Sequence, residues 1–299
     1  MHVFLTGATG FIGSRIVPEL IGAGHKVTGL TRSDAGAQWL QAAGAEAYHG
    51  TLDEPEMLAR GAEGADAVIH TAFDHEFSRC VENCAKDGRV IAALASVLAG
   101  SDRPLIITSG VGMGSVGPGQ PAIEQAVDWN HPNPRAASEQ AGADAAARGV
   151  SVAVVRLPQV HDPVKQGLIT PYIDNARSKG TVGYLGEGSN RWSAAHVVDV
   201  ARLYRLALEQ HEAGARWHAV DEEGVPVRVI AEAVGAGLGL PVVSLSGDEA
   251  ASYFGWLGIF AGLDMIASSA WTRERLGWTP TGPDLLTDLR AMDYRAGAA

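Results

Sequence analysis

The sequence predicts an α/β fold, a doubly wound parallel sheet with a smaller, interleaved C-terminal region. In the first half of the 299-residue chain, short apolar runs alternate with helical patterns, and the first run ends in a glycine-rich turn. Alternating strands and helices form parallel sheets with right-handed crossovers and helices on both faces. The second half is less regular, with glycine-rich loops at 180–189 and 235–247, so we expect it to build the smaller part.

The expected elements follow one another along the first half of the chain. Apolar runs predict strands at 3–6, 26–30, 46–48, 66–71, 104–109 and 151–156. Helical spacing of apolar residues predicts helices at 11–22, 34–43, 55–60, 78–99 and 134–148. Ligands bind such sheets at the carboxyl ends of the strands, so the residues that directly follow each strand are the first candidates for function.

The first strand runs into Thr6-Gly7-Ala8-Thr9-Gly10-Phe11-Ile12-Gly13, a turn that predicts dinucleotide binding. Glycine in such a turn permits positive φ, lets a phosphate approach the backbone, and lets the helix pack closely on the strand. The N–H groups of the first helical turn, together with the helix dipole, attract the anion. A glycine-rich turn with only a structural role is the alternative. We assign cofactor contacts to Gly7, Thr9, Gly10, Phe11, Ile12 and Gly13.

Composition excludes several classes of function. The net charge of −11 and the lack of a Lys/Arg stripe argue against a nucleic-acid partner. No apolar stretch reaches the about 18 residues of a membrane span, and the N-terminus lacks a basic region and a cleavage site. We therefore expect no membrane partner and a cytoplasmic location. Cys80 and Cys84 lie four apart in a predicted helix without a second pair to complete a metal site, so we expect free thiols and no metal.

The chain resembles the extended and atypical branch of the short-chain dehydrogenase/reductase superfamily, which is similar to the NAD(P)-dependent epimerases and dehydratases. Thr-Gly-Ala-Thr-Gly-Phe-Ile-Gly matches the cofactor signature of that branch, and similar landmarks recur at 66–72, 105–109, 154–160 and 196–209. The resemblance implies a Rossmann-type fold, with an NAD(P)-binding domain at 1–160 and a substrate-binding region at 161–299, of which about 192–220 returns to the Rossmann core. It also implies a homodimer formed through the helices at 78–99 and 134–148.

The end of the second strand favours NADP(H), with NAD(H) as the alternative. NAD-specific proteins place a carboxylate there on the ribose 2′-hydroxyl, whereas this chain has Thr31 followed by Arg32. A guanidinium suits a 2′-phosphate, although a solvated surface arginine or an inward-turned Asp34 would weaken the argument. After the third strand, Leu52 is expected to cover the adenine. The resemblance extends the cofactor contacts to Thr71, Ala72, Phe73, Thr108 and Pro158.

The expected catalytic pair of the family is missing. The resemblance places a tyrosine where this chain has Pro134, and a lysine one helical turn later where it has Ser138. Proline neither donates nor accepts a proton, so the usual proton transfer by a phenol is not available at this turn. Three residues are candidates for the catalytic roles instead: Ser109, His75 and Arg135.

Each of these candidates also has a structural reading. Ser109 keeps the family position at which a hydroxyl contacts the substrate oxygen, but a serine at a strand end also caps backbone groups. His75 has a side chain that titrates near neutral pH, but a loop histidine also satisfies backbone groups. Arg135 is suited to an oxyanion or a phosphate, but solvation at a helix start is the common fate of such a residue.

The sequence thus predicts an NADP(H)-dependent oxidoreductase of the atypical short-chain type. Its expected substrate is a small to medium, rather apolar carbonyl compound or alcohol, with Ser109 orienting the oxygen and His75 or an ordered water supplying the proton. A non-catalytic NAD(P) sensor is the alternative, because the tyrosine and lysine are missing. A nucleotide-sugar epimerase or dehydratase ranks third, because that chemistry relies on the same tyrosine.

Overall fold

The computed structural model describes residues 1–76 and 79–295. Strands and helices are numbered in chain order as β1–β12 and α1–α12. Within the described residues, seven parallel strands form the central sheet in the order β10-β6-β5-β4-β1-β2-β3. These strands are β1 (His2–Thr6), β2 (Lys26–Thr31), β3 (Glu46–His49), β4 (Ala67–His70), β5 (Pro104–Gly110), β6 (Ser151–Leu157) and β10 (Arg216–His218). The predicted doubly wound parallel sheet is confirmed.

Helices cover both faces of this sheet. Those of the first half are α1 (Gly13–Gly22), α2 (Asp34–Ala42), α3 (Pro55–Ala62), α4 (Cys80–Leu98) and α5 (Ala136–Ala147). Successive strand residues point to opposite faces, so Leu5 and Ile69 pack in the layer of α1, whereas Phe4 and Val68 pack in the layer of α3 and α4. Burial on both faces explains why these strands read as nearly continuous apolar runs.

The second half builds two small sheets and a separate hydrophobic core. One sheet has the order β11-β9-β7 and the other pairs β12 with β8. The strands are β7 (Gln159–His161), β8 (Val182–Leu185), β9 (Arg191–His196), β11 (Glu222–Pro226) and β12 (Val242–Leu245). The helices are α6 (Ile169–Lys179), α7 (Val197–Glu209), α8 (Val227–Leu238), α9 (Gly247–Phe254), α10 (Gly258–Ala261), α11 (Ala270–Leu276) and α12 (Leu285–Ala291). None of the described helices combines the length and the apolar character that a membrane span needs.

The chain returns to the central sheet after this region has begun. Helix α7 packs on α1, and β10 pairs in parallel with β6 through Trp217 and Val155. Strand β9, by contrast, pairs with β7 and β11 in the small sheet. The domain boundary at residue 160 stays a prediction.

A fully buried ion pair joins the last strands to the rest of the molecule. The Arg156 guanidinium on β6 donates to both carboxylate oxygens of Glu139 on α5, at 2.6 and 2.9 Å. It also contacts Nε2 of His218 on β10 at 3.2 Å, and His218 Nδ1 contacts the Ser268 carbonyl at 2.8 Å. These contacts assign a neutral imidazole, with Nδ1–H donating to the carbonyl and Nε2 accepting from the guanidinium.

Burial, reinforced by the Arg156 charge, lowers the pKa of His218 from 6.5 to about 3. Between these values the unfolded chain binds the proton that the folded protein excludes, so this group costs about 1.4 kcal/mol of stability per pH unit as the pH falls below 6.5. We expect the free energy of unfolding in urea to drop between pH 7.5 and 5.5. His218→Gln keeps a donor and an acceptor without the titration, and should reduce that drop by about 1 kcal/mol. An identical drop in the variant would contradict this assignment.

Candidate functional site

The glycine-rich turn has a shape that only glycine permits at two positions. Gly7 has φ of +70°, and a Cβ there would lie 2.7 Å from both Ala72 N and Thr71 Oγ1 at the end of β4. A Cβ on Gly13 would lie 2.0 Å from the carbonyl oxygen of Gly7. The turn therefore packs directly on β4 and α1, and leaves its outer backbone open to a ligand.

The start of α1 is suited to an anion. Its N-cap residue, Ile12, provides no side-chain cap, so the N–H groups of the first turn are not covered by their own side chains. Thr9 and Gly10 are exposed, and Phe11 and Ile12 are half-buried. A helix N-terminus with bare backbone beside it is the arrangement that holds a pyrophosphate.

A short hairpin from the C-terminal region reaches the same turn. Asp162 Oδ1 accepts the N–H groups of Val164 and Lys165 at 2.8 and 2.7 Å, and Asp162 Oδ2 lies 3.3 Å from an Arg15 nitrogen on α1. These contacts hold the Lys165 ammonium 5.8 Å from the centre of the Phe11 ring. A positive charge thus lies above the turn predicted to bind phosphate.

The end of β2 presents no carboxylate from the strand itself. Thr31 is buried and its hydroxyl donates to the Ser33 carbonyl, while the Ser33 side chain caps α2 by accepting from Gly36 N. Arg32 is exposed, and Asp34 is exposed in the first turn of α2. The structure leaves the Arg32 guanidinium in solvent beside the place where an adenosine ribose binds in this type of fold.

The segments after β3 and β4 are tied together by Lys86 of α4. Its ammonium lies 2.8 Å from an Asp53 carboxylate oxygen and 3.3 Å from one of Asp74. Leu52 is half-buried against the core between these segments. The loop that is expected to contact the adenine is therefore linked to the loop that follows β4.

The residues after β4 meet Arg135 at the mouth of the sheet. Thr71 Oγ1 donates to the Thr6 carbonyl at 2.8 Å, which fixes the start of this segment on β1. The Arg135 guanidinium lies 4.0 Å from the centre of the Phe73 ring, and the His75 ring meets Phe73 edge-to-face at 5.2 Å. Arg135 is 18% exposed, so it is not the solvated helix-start arginine that the sequence allowed.

The pKa of His75 is shifted below its ordinary value. Its ring is exposed at the surface, yet the protein packed around it penalises the imidazolium, and the positive charge of Arg135 adds to this effect. The neutral imidazole therefore predominates at pH 7. In this form His75 is suited to accept a proton from an alcohol.

A buried carboxylate, Asp87 of α4, lies beneath these residues. Its Oδ1 accepts from His70 Nε2 at 2.9 Å, and its Oδ2 accepts from Ser138 Oγ at 2.6 Å and from Arg135 Nη1 at 3.1 Å. Burial opposes the ionisation of Asp87, but Arg135, His70 and Ser138 outweigh it and hold its pKa below the ordinary value. Asp87 is thus an ionised carboxylate whose hydrogen-bonding capacity is largely used.

Ser109 contrasts with this network, because its hydroxyl has no partner among the described residues. The residue is 3% exposed, near the carboxyl end of β5, and its Oγ is buried without a hydrogen bond within the described part of the chain. The preceding Thr108 is bound on both sides, donating to the His70 carbonyl and contacting Tyr204 Oη, each at 2.7 Å. A buried hydroxyl without a partner at a strand end fits a ligand that brings its own acceptor or donor.

The arrangement fits a dinucleotide from one end to the other. The glycine turn and α1 offer the pyrophosphate site, the loops after β2 and β3 the adenosine end, and the ends of β4 and β5 the nicotinamide end. Pro158, half-buried between β6 and β7, borders this last end. Ser109, His75 and Arg135 all come from segments that meet there.

Comparisons with known proteins agree with this geometry. The family model described as NAD dependent epimerase/dehydratase family matches residues 3–220. The chain belongs to this family. It is 44% identical over 295 residues to the uncharacterized protein C2A9.02 of Schizosaccharomyces pombe, covering 98% of this chain and 100% of that protein.

Two further similarities span most of the chain. It is 28% identical over 246 residues to 4-hydroxy-2-methyl-3-oxo-4-farnesyl-3,4-dihydroquinoline-1-oxide ketoreductase of Stigmatella aurantiaca, covering 77% of this chain and 70% of that protein. A crystal structure of DesIV, a dTDP-glucose 4,6-dehydratase from Streptomyces venezuelae with NAD and TYD bound, superposes with a TM-score of 0.75 at 20% identity, covering 99% of this chain and 98% of that one. The predicted membership of the extended short-chain dehydrogenase/reductase superfamily is confirmed, and the family is NAD(P)-dependent.

Sequence reasoning missed the residues that hold the family site together in this chain. His70 and Asp87 were not among the candidates, nor was Ser138, which was noted only for the lysine it replaces. The available signal was a charged residue on the inner face of α4, since Asp87 lies one helical turn before the buried Ile91. Cys80 and Cys84 are free thiols, as predicted.

The turn geometry predicts that alanine substitutions at two glycines of α1 have very different effects on cofactor binding. In Gly13→Ala the new methyl group meets backbone atoms that cannot move cheaply, so we expect the dissociation constants of NADPH and NADH to rise at least about 10-fold. Gly22→Ala is the matched control, because a Cβ there has no neighbour within 4 Å, and it should bind as the unmodified protein does. Energy transfer from the tryptophans to the nicotinamide measures both. Unchanged binding by Gly13→Ala would contradict the assignment of this turn.

Proposed function

We propose that this protein is an NADP(H)-dependent oxidoreductase of the atypical short-chain type, acting on a small to medium apolar carbonyl compound or alcohol. The observation that carries the proposal is the buried hydroxyl of Ser109 near the carboxyl end of β5, which has no hydrogen-bond partner in the described ranges 1–76 and 79–295 and lies next to a site shaped for a dinucleotide. A substrate oxygen would satisfy this hydroxyl. The similarity to a ketoreductase supports carbonyl chemistry.

The residues at the nicotinamide end can divide the chemistry among them. When bound, the nicotinamide exchanges a hydride with the substrate carbon. Ser109 holds the substrate oxygen, and neutral His75 accepts the hydroxyl proton during alcohol oxidation. In the reducing direction, protonated His75 or an ordered water returns that proton. The Arg135 guanidinium donates to the carbonyl of Thr108, which directly precedes Ser109, so its positive charge would stabilise negative charge that develops on an oxygen held by Ser109.

The proposal of an apolar substrate draws on the aromatic segment at 253–260, which belongs to the C-terminal region. Tyr253, Phe254 and Leu257 pack in the core of the C-terminal region. Trp256 and Ile259 of the same segment are 39% and 68% exposed. Exposed apolar side chains in this region would suit an apolar ligand.

The homodimer expected through α4 and α5 stays a prediction.

A non-catalytic NAD(P) sensor is the second candidate. Pro134 and Ser138 occupy the positions of the family's tyrosine and lysine, and Ser138 is committed to Asp87. The unpartnered Ser109 hydroxyl favours the enzyme, because a sensor has no need of a substrate oxygen at that place. A nucleotide-sugar epimerase or dehydratase ranks behind both.

The preference for NADP(H) is tested at Arg32. If its guanidinium pairs with the 2′-phosphate, Arg32→Ala removes charge-assisted hydrogen bonds worth about 1.5–3 kcal/mol, and the dissociation constant of NADPH should rise about 10- to 100-fold. The dissociation constant of NADH should not change. Arg148→Ala, which removes an exposed arginine at the end of α5, controls for net charge. Equal losses for both nucleotides, or none, would contradict NADP(H) selectivity.

The proposed chemistry is tested by oxidising and reducing a panel of apolar alcohols and carbonyl compounds. We expect Ser109→Ala to lower kcat about 100-fold, since it removes a donor aimed at the reacting oxygen. His75→Ala should lower kcat for alcohol oxidation about 100-fold, the size expected for loss of a general base. Fluorescence titration checks that both variants still bind cofactor. Unchanged turnover in both would rule out these roles.

A further inference from the structure

The guanidinium of Arg135 is held in one orientation by three contacts of different kinds. Nη1 donates to Asp87 Oδ2 at 3.1 Å, and Nη2 donates to the Thr108 carbonyl at 2.8 Å. One face of the group stacks on the Phe73 ring at 4.0 Å. Because the two hydrogen bonds use different nitrogens of a planar group, they fix its rotation as well as its position.

A chain of hydrogen bonds, each with one donor and one acceptor, leads from the backbone of β4's end through Thr6 and His70 to Asp87. Ala72 N donates to Thr6 Oγ1 at 3.3 Å, Thr6 Oγ1 lies 2.7 Å from His70 Nδ1, and His70 Nε2 lies 2.9 Å from Asp87 Oδ1. The pattern is satisfied when the threonine hydroxyl donates to Nδ1 and Nε2–H donates to the carboxylate. Contacts from β1 and β4 therefore hold the Asp87 carboxylate in place independently of its hydrogen bond to Arg135.

This arrangement places a fixed cation where the family's phenol and ammonium are missing. Arg135 directly follows Pro134, and Ser138, at the lysine position, binds the same Asp87 oxygen as Arg135 does. Asp87 is 2% exposed and Arg135 is 18% exposed, so the arginine points from a buried anchor towards the mouth of the site. Because burying an ion pair is costly, the partial exposure lowers that cost, and it also leaves part of the guanidinium accessible to a ligand.

We infer that Asp87 is a positioning residue, which fixes the Arg135 guanidinium as the group that stabilises negative charge on the substrate oxygen. The inference rests on the proposed function. It adds a role for Asp87 and separates that role from the role of Arg135, which the function alone does not require. Asp87 sets the orientation, Arg135 carries the charge, and His70 and Ser138 hold Asp87. A charge fixed before the reaction stabilises a developing oxyanion without reorganisation.

The test compares Arg135→Ala, Asp87→Asn and the double variant in the intact protein, with NADPH and the best carbonyl substrate of the panel. We expect Arg135→Ala to lower kcat about 100-fold and Asp87→Asn about 10-fold or more, with the dissociation constant of NADPH changed less than about 3-fold. The double variant should be no slower than Arg135→Ala alone, because the two residues act as a unit. Additive losses would overturn the inference, as would full kcat in either single variant.

Chemical rescue separates positioning from a structural role. Millimolar guanidinium chloride should restore kcat of Arg135→Ala at least about 10-fold, because the free cation can occupy the vacated place beside Asp87 and Phe73. The same addition should restore little in the double variant, where the anchoring carboxylate is gone. Equal rescue of both, or none in Arg135→Ala, would overturn the role of Asp87. Arg135→Lys should recover less than guanidinium does, since an ammonium lacks the planar fork.

A matched control comes from the other buried carboxylate–arginine pair on α5. Glu139→Gln breaks the pair with Arg156 and should lower the melting temperature while leaving kcat within about 3-fold.

If Asp87→Asn does not fold, Asp87→Glu and the rescue of Arg135→Ala decide the question, because in Arg135→Ala the carboxylate keeps His70 and Ser138. An unmodified protein that binds NADPH but turns over nothing in the panel would refute the proposed function itself. Turnover that is indifferent to Arg135 and Asp87 would refute the inference alone.

Discussion

The buried carboxylate of Asp87 is the constraint around which the cofactor end of the molecule is built. A charge that is removed from water must be compensated by partners, and Asp87 draws these from β4 and α5. Through His70 and Thr6 the same network reaches β1, directly before the glycine-rich turn. The positions of the turn, the Phe73 segment and the start of α5 are therefore not independent of one another.

The glycine-rich turn depends on the same junction between β1 and β4. Gly7 has no room for a side chain because Thr71 and Ala72 come so close, and both of these residues are bound to Thr6. Close packing holds the backbone of the turn, and hydrogen bonds hold the segment it packs against. A cofactor bound across this junction would contact elements whose relative positions are already set.

Much of the fold follows from local pattern. The six predicted strands and five predicted helices lie within about two residues of the observed ones, because strands buried on both faces leave apolar runs that differ clearly from the helical spacing between them. The glycines at 7 and 13 were found because the spacing of the motif is local, although the atoms that exclude a side chain at Gly7 belong to the distant Thr71 and Ala72. The surroundings of Asp87 were not, because Asp87 lies 17 residues from His70 and 51 from Ser138. Arg135 shows the same limit: the sequence left both a contact to an oxyanion or phosphate and a solvated helix start open, and only the fold brings Phe73 beneath its guanidinium.

The buried pair of Arg156 and Glu139 has a consequence for how a substrate enters. Arg156 also contacts His218 of β10 and the Ile123 carbonyl in the loop after β5, so the two halves of the chain are joined at a point that water does not reach. Pulling β10 away from β6 would break the contact between the Arg156 guanidinium and His218 and would open the buried pair to water, so we expect these two strands to stay together when a ligand binds. Movement that admits a substrate is therefore expected outside the central sheet, in segments that this buried contact does not hold.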